Sequence, residues 1–228
     1  WIGSDSQGLF RYNAATDNFD TFLPSPDFSL SSGIRGIYED SFGILWVGTG
    51  NGLYQFDRGT EEFILIKQVM KKEERIANRF TTITEDNEGN IWYCADRIYT
   101  YNKSTKKLSP FTGFSVESTG SPNPTYMNIL LEEYDNNQTL WIARDGLYKY
   151  DLTDGKLTTV FNDPIDWASN VGRNPRDLYL DPTGLIWIAT TTGISVLDPR
   201  SSQIRSHPDF AEEFQLDAIA FLRDSPGH

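Results

Sequence analysis

Five tryptophans at nearly regular intervals constrain this chain more than any other feature of its sequence. The intervals are 45, 46, 49 and 46 residues, between Trp1, Trp46, Trp92, Trp141 and Trp187. A period of about 20 to 50 residues is the signature of repeat architectures, in which every copy is one supersecondary unit. The 228 residues therefore predict a single domain, 1–228, that holds five repeat units and begins and ends in the middle of a unit.

The first half of the repeated frame predicts a β-hairpin. Residues 37–49 read IYEDSFGILWVGT, and residues 178–190 read LYLDPTGLIWIAT. Asp-x-x-Gly between two β-rich runs is a turn signal, because the aspartate side chain bonds backbone amides of the turn and glycine supplies a positive φ. Apolar residues alternate with small ones around the tryptophan, which is typical of a half-buried strand.

The second half of the frame predicts two more strands. Glycine, an aliphatic residue and an aromatic residue recur behind the tryptophan, as in GLYQFD at 52–57 and GLYKYD at 146–151. A turn at 58–60 then leads to a further strand over Phe63–Lys67. Four short antiparallel strands in each period are the pattern of a propeller blade. We predict an all-β fold, a β-propeller of four-stranded antiparallel blades with five repeats present, either a closed five-bladed ring or part of a larger array.

The fourth copy and the chain ends depart from the frame. In the fourth copy, Glu133 stands where other copies have aspartate, and residues 134–139 predict a turn two residues longer. Only Ile66–Asn78 has a locally helical pattern. Residues 220–227, AFLRDSPG, repeat the first-strand frame, so we expect a strand there to pair with the N-terminal strand and close a ring without free edges. Since Trp1 follows neither an initiator methionine nor a signal peptide, we expect a piece of a longer chain.

Composition excludes several classes of function. The net charge of −12 argues against binding to nucleic acid or to an anionic membrane surface. No apolar run approaches the roughly 20 residues of a membrane-spanning helix. Cys94 is the only cysteine, and His207 and His228 are the only histidines, so neither a disulfide nor a His-based catalytic or metal site has the necessary residues. We predict no enzyme activity, no metal and no cofactor.

The run IYEDSFGILWVGTGNGLYQFD at Ile37–Asp57 resembles the two-component regulator propeller repeat, and the resemblance extends five times over the chain. Such repeats, commonly in seven-bladed rings, fill the extracytoplasmic sensor region of bacterial hybrid two-component regulators. Many of these regulators respond to oligosaccharides released from polysaccharides. The resemblance implies a periplasmic sensor that binds an oligosaccharide and is joined to signalling domains. A homodimer is left open.

Binding residues are expected where the repeats are unlike. The links between blades are long and varied, at Leu23–Gly33, Gln68–Asn78, Ser109–Tyr126 and Phe161–Asn174. Loops on a rigid scaffold commonly carry binding, and guanidinium groups would hold a carboxylate or sulfate of an acidic sugar. The candidate ligand-binding residues are Arg35, Arg79, Arg97, Tyr126, Arg144, Asp145, Trp167, Arg173 and Arg176. The alternative for each arginine is a surface charge that pairs with a nearby acid.

Three hypotheses of function follow. The first is a non-enzymatic, extracytoplasmic sensor that binds a glycan fragment and signals by a change of shape or association. The second is an interaction propeller that docks a partner or a second copy. The third is a propeller lyase or hydrolase, which the scarcity of histidine disfavours. Asp40, Asp86 and Asp181 are interpreted as turn formers rather than metal or sugar ligands, and the repeated tryptophans as packing between blades.

Overall fold

The computed structural model describes residues 1–23, 33–49, 52–68, 82–95, 97–114, 127–134, 137–144, 146–161, 175–190 and 193–206. These residues contain nineteen β-strands and no helix, which confirms the all-β prediction. The chain divides into two compact units, Trp1–Thr112 and Gly113–His228.

The first unit contains three antiparallel sheets, in which each strand pairs with its neighbour in sequence. Their strands are β1 (Ile2–Ser4), β2 (Gly8–Asn13) and β3 (Asn18–Phe22); β4 (Ile34–Glu39), β5 (Leu45–Thr49), β6 (Gly52–Asp57) and β7 (Glu62–Gln68); and β8 (Ile83–Glu85), β9 (Ile91–Cys94), β10 (Ile98–Asn102) and β11 (Lys107–Pro110). We call these sheets blades 1, 2 and 3. Blade 1 has three strands in the described part of the chain, because β1 corresponds to the second strand of the other blades.

The second unit contains two four-stranded antiparallel sheets with the same strand order, blades 4 and 5. Their strands are β12 (Asn128–Tyr134), β13 (Asn137–Ala143), β14 (Leu147–Asp151) and β15 (Leu157–Phe161); and β16 (Asp177–Leu180), β17 (Ile186–Thr190), β18 (Gly193–Asp198) and β19 (Gln203–Ser206). The five sheets are the blades that the repeat predicts, so the β-propeller fold is confirmed. The expected closing strand at 220–227 lies outside the described residues.

The Asp-x-x-Gly segments form the predicted hairpin turns. In blade 2, Oδ1 of Asp40 accepts hydrogen bonds from the amides of Phe42 and Ile44 at 3.0 and 2.9 Å. Gly43 has a φ of 76°, in the left-handed region that favours glycine. The same bonds recur at Asp86, from Glu88 and Asn90, and at Asp181, from Thr183 and Leu185. The aspartates are turn formers, as the sequence predicts.

Two of the tryptophans pack between neighbouring blades of the same unit. Trp46 of blade 2 is fully buried, and its ring centroid lies 5.3 Å from that of Tyr101 in blade 3. In the second unit, Trp141 of blade 4 shares a core cluster with Leu178 and Leu197 of blade 5. At these two junctions, the tryptophan lies where one blade buries its flank against the next.

Three local predictions are wrong. In blade 4, β12 continues through Tyr134, which pairs with Asn137, so the hairpin has longer strands instead of a longer turn. Glu133 does not replace the aspartate, because the Trp141 indole donates to Glu132 Oε2 at 2.6 Å. β12 continues for two residues beyond Glu132. Because side chains alternate along a strand, Glu132 lies on the buried face and Glu133 is exposed. The expected helix does not begin at Ile66, because β7 continues to Gln68; residues 69–78 lie outside the described residues.

Candidate functional site

Four of the predicted arginines lie at the blade ends opposite the aspartate hairpins. Arg35, in β4, and Arg176, directly before β16, occupy the same position of the repeat, at the start of the first strand. Arg97 and Arg144 lie in the loops between second and third strands, where the amides of Ala95 and Arg144 donate across the turn at 2.9 Å. Arg35 and Arg97 belong to the first unit, and Arg144 and Arg176 to the second.

The other predicted site residues lie outside the described residues, and their participation stays a prediction. They are Arg79, Tyr126, Asp145, Trp167 and Arg173. Both histidines and most of the four links between blades also lie outside the described residues.

Arg35 is engaged within the scaffold. Its Nη1 forms an ion pair with Asp5 Oδ1 from the loop that follows β1, and the arginine side chain is 19% exposed. Gly33 allows this approach, since a Cβ there would lie 2.7 Å from the Asp5 Cα and backbone oxygen. Arg35 therefore joins blade 1 to blade 2, which matches the alternative of an arginine paired with a nearby acid.

Sequence reasoning missed a polar pair in the second unit, in which Asn128 is buried and Asp177 is half-buried. Asn128 begins β12, is 6% exposed, and donates from Nδ2 to Asp177 Oδ1 at 2.8 Å. The same amide nitrogen lies 3.4 Å from the backbone oxygen of Arg176. Asn128 and Asp177 occupy one repeat position, because they pair with Ala143 and Ala189, each two residues after a tryptophan. The pair is close to the predicted Arg176 and is held by two neighbouring first strands.

A signal for this pair exists in the repeat alignment. The position reads Gly36, Thr82, Asn128 and Asp177 in blades 2 to 5, whereas the residue opposite is always small. Those opposite residues are Gly48, Cys94, Ala143 and Ala189. A position that varies in size and polarity, opposite one that stays small, is a candidate for function, and no local motif marks it.

A second polar cluster, at the hairpin end of blades 2 and 3, is scaffold. Lys103 Nζ lies 2.7 Å from Asp40 Oδ2 and 2.6 Å from Glu85 Oε1, and Asp40 Oδ2 also accepts the Trp46 indole N–H at 2.9 Å. Burial of these carboxyls opposes ionisation, but the Lys103 ammonium and other donors outweigh it and lower the pKa of both Asp40 and Glu85. With their oxygens bonded inside the cluster, the carboxylates stabilise the junction between two blades.

The hairpin aspartate of blade 5 is held as an anion in the same way. Burial raises the pKa of the Asp181 carboxyl, but hydrogen bonds from Thr183, the Trp187 indole and the Leu185 amide outweigh burial and lower the pKa to about 2. The indole Nε1 of Trp187 lies 2.8 Å from Asp181 Oδ2. A carboxylate that is ionised at neutral pH and bonded through both oxygens is a poor general acid or base.

Among the described residues, no three His, Cys, Asp or Glu side chains are grouped closely enough to hold a metal ion. A search of the same residues finds no helix with the length and apolar character needed to cross a membrane.

Sequence comparison relates the chain to bacterial signalling proteins. Residues 29–51 match the family model of the two-component regulator propeller. Histidine kinase P4 of Formosa agariphila is 30% identical over 206 residues, which are 82% of this chain and 14% of that protein. The chain thus spans about a seventh of this relative's length.

Solved structures share the fold at lower identity. The extracellular domain of a hybrid two-component system from Bacteroides thetaiotaomicron has a TM-score of 0.66 and 19% identity, over 98% of this chain and 30% of that one. Virginiamycin B lyase from Staphylococcus aureus has a TM-score of 0.61 and 16% identity, over 91% of this chain and 64% of that one. The same blade architecture therefore occurs in the extracellular domain of a two-component system and in a lyase.

Proposed function

Because this chain is built from two-component regulator propeller repeats, we propose that it is a sensor propeller of a hybrid two-component signalling protein and binds an oligosaccharide without chemical change. The observation that carries the proposal is the 30% identity with Histidine kinase P4, which extends over 82% of the chain. The likeness to an extracellular domain supports a place outside the cytoplasm, which we propose to be the periplasm.

The division of labour within the blades supports a binding site at the ends opposite the hairpins. The described hairpin aspartates and their tryptophans are bonded to each other and form the scaffold. In the second unit, Arg144 and Arg176 lie at the other ends of the blades, where the repeats differ in sequence. Arg97 lies at the corresponding end of its own blade in the first unit. Binding there would pass a change of shape or association to the attached signalling domains, by favouring the conformation that holds the oligosaccharide more tightly.

An interaction propeller, which docks a partner or a second copy without a small ligand, is the second candidate.

A thermal-shift panel tests the proposal. The chain is melted alone and with neutral and acidic oligosaccharides of defined length, and the samples are then analysed for cleavage. Binding to the folded state raises the melting midpoint in a concentration-dependent way. We expect at least one oligosaccharide to raise the midpoint and to be recovered intact. No shift with any glycan, together with self-association or capture of a partner, would favour the interaction propeller; a cleaved glycan would indicate an enzyme.

A further inference from the structure

We propose that Asn128 and Asp177 form a subsite for the hydroxyl groups of a neutral sugar residue, at the ends of blades 4 and 5 opposite the hairpins. The inference rests on the proposed function and names the chemistry of one part of the site. It adds two residues to the arginines and aromatic residues that the sequence indicates.

One oxygen of this pair, Asn128 Oδ1, is a hydrogen-bond acceptor without a donor among the described residues. Within the described part of the chain, Asn128 Oδ1 is buried and accepts no hydrogen bond, whereas Nδ2 of the same side chain donates to Asp177 at 2.8 Å. A buried polar atom without a partner destabilises a protein. The missing partner here is a donor, which the hydroxyl group of a bound ligand would supply.

Hydrogen bonds fix the orientation of both side chains, Asn128 and Asp177. Asp177 Oδ1 accepts both from Asn128 and from the backbone amide of Leu178 at 3.0 Å, so the carboxylate is fixed by two donors. The bond to this carboxylate in turn requires that Asn128 present Nδ2 to it and Oδ1 away from it. A fixed carboxamide and a fixed carboxylate side by side form a rigid pair of acceptors on two neighbouring strands.

The charge of the Asn128–Asp177 pair favours a neutral ligand group. The pair offers a carboxylate and an amide oxygen, so it suits donors and repels anions. Sugar hydroxyls donate without bringing negative charge. A carboxylate or sulfate elsewhere on the same oligosaccharide would be bound by guanidinium groups such as those of Arg144 and Arg176, which belong to the same unit. The subsite would thus bind neutral hydroxyl groups, and the arginines would bind acidic substituents.

Asn128 and Asp177 occupy a position of the repeat that tolerates different residues, so they can serve binding without disturbing the fold. Thr82 and Gly36 hold the equivalent places in blades 3 and 2, so the fold accepts side chains of different size and polarity there. A purely structural role would favour one residue type in all blades, as it does for the tryptophan.

The test is isothermal titration of wild-type protein and variants with five tetrasaccharides: cellotetraose, xylotetraose, laminaritetraose, mannotetraose and tetragalacturonate. The variants are Asn128→Leu, which keeps the approximate volume, and Asp177→Asn, which keeps the shape. Asn137→Leu is the control, because Asn137 is an exposed asparagine at the opposite end of the same hairpin. Near-ultraviolet circular dichroism and the melting midpoint establish that each variant is folded.

We expect wild-type protein to bind at least one neutral tetrasaccharide. Asn128→Leu and Asp177→Asn should weaken that binding about tenfold or more, and Asn137→Leu should leave it unchanged. Unchanged affinity in both site variants would overturn the subsite while leaving the sensor proposal intact, and would assign the unused acceptor to a buried water. Binding of tetragalacturonate alone would overturn the subsite and keep the sensor proposal. Binding of none of the five would contradict both.

Discussion

At the residue scale, a bond between a carboxylate and a tryptophan holds each of blades 2 to 5. The indole N–H donates to Asp40, Asp86 and Asp181 in blades 2, 3 and 5, at 2.9, 2.8 and 2.8 Å. The other oxygen of each carboxylate accepts from two amides of the turn. One side chain therefore closes the hairpin and fixes the ring of the tryptophan.

Blade 4 tests this role with two adjacent glutamates. Glu132 is 9% exposed and accepts the Trp141 indole bond at 2.6 Å, whereas Glu133 is exposed. Glu132→Ala leaves a buried indole N–H without a partner and should lower the free energy of unfolding by about 1–3 kcal/mol. Glu133→Ala should change it by less than about 0.5 kcal/mol. Urea unfolding, followed by tryptophan fluorescence, measures both; equal effects would contradict the assignment.

Acid should remove the contribution of Asp181. Its pKa is lowered from the ordinary 3.8 to about 2 in the folded chain, so the folded state favours the carboxylate. That stabilisation is fully present above a pH of about 4 and is lost as the pH falls towards 2. The difference in unfolding midpoint between wild-type protein and Asp181→Asn should therefore shrink from pH 5 to pH 2.5. A difference that does not change with pH would contradict the lowered pKa.

At the scale of elements, blades 2 and 3 are joined by a cation between two carboxylates. The side chains of Lys103, Asp40 and Glu85 are 20%, 0% and 7% exposed, so the charges are shielded from water. Glu85 also accepts from the Ser41 amide of blade 2 at 2.7 Å. The junction thus depends on charge as well as on the apolar cluster around Trp46.

Loss of that cation should cost more than loss of the equivalent one in blade 2. Lys103→Met leaves two buried carboxylates without a counter-charge and should lower the free energy of unfolding by about 3 kcal/mol. Arg58→Met is the matched control: Arg58 occupies the same turn of the repeat, pairs with Glu39, and is 42% exposed. It should cost at most about 1 kcal/mol. Equal costs in urea unfolding would show that the ion cluster adds nothing to the junction.

The elements themselves were largely predictable, because their signals are local. Asp-x-x-Gly specifies the hairpin through bonds within four residues, and alternation around Trp46 specifies its strand. The longer hairpin of blade 4 was mispredicted, since the turn signal at Glu133 competed with strand pairing that continues to Tyr134. Pairing depends on the partner strand, which a local pattern does not contain.

The candidate site was less predictable, because it depends on neighbours that are distant in sequence. The Asp5–Arg35 ion pair joins residues 30 positions apart, and the Asn128–Asp177 bond joins residues 49 apart. Charge alone marked Arg35 as a ligand-binding candidate, and only the fold reveals its acidic partner. Conversely, nothing local distinguishes Asn128 from any polar residue at the start of a strand.

At the scale of the whole molecule, each repeat combines scaffold positions, such as the tryptophan, with positions whose residues differ between blades. The chain is similar over most of its length to a histidine kinase of which it spans a small part. Under the proposed function, the propeller would contribute recognition, and signalling domains attached to it would give the response. The central claim is therefore that the chain binds an oligosaccharide and leaves it intact.

Native mass spectrometry tests that claim most directly, because one spectrum reports adduct mass, stoichiometry and self-association. The chain is mixed with the oligosaccharide that raises its melting midpoint most and is sampled over several hours. We predict a complex of one chain with one oligosaccharide whose mass stays that of the intact sugar. A protein that carries no sugar, or one that carries only shortened fragments, would contradict the account.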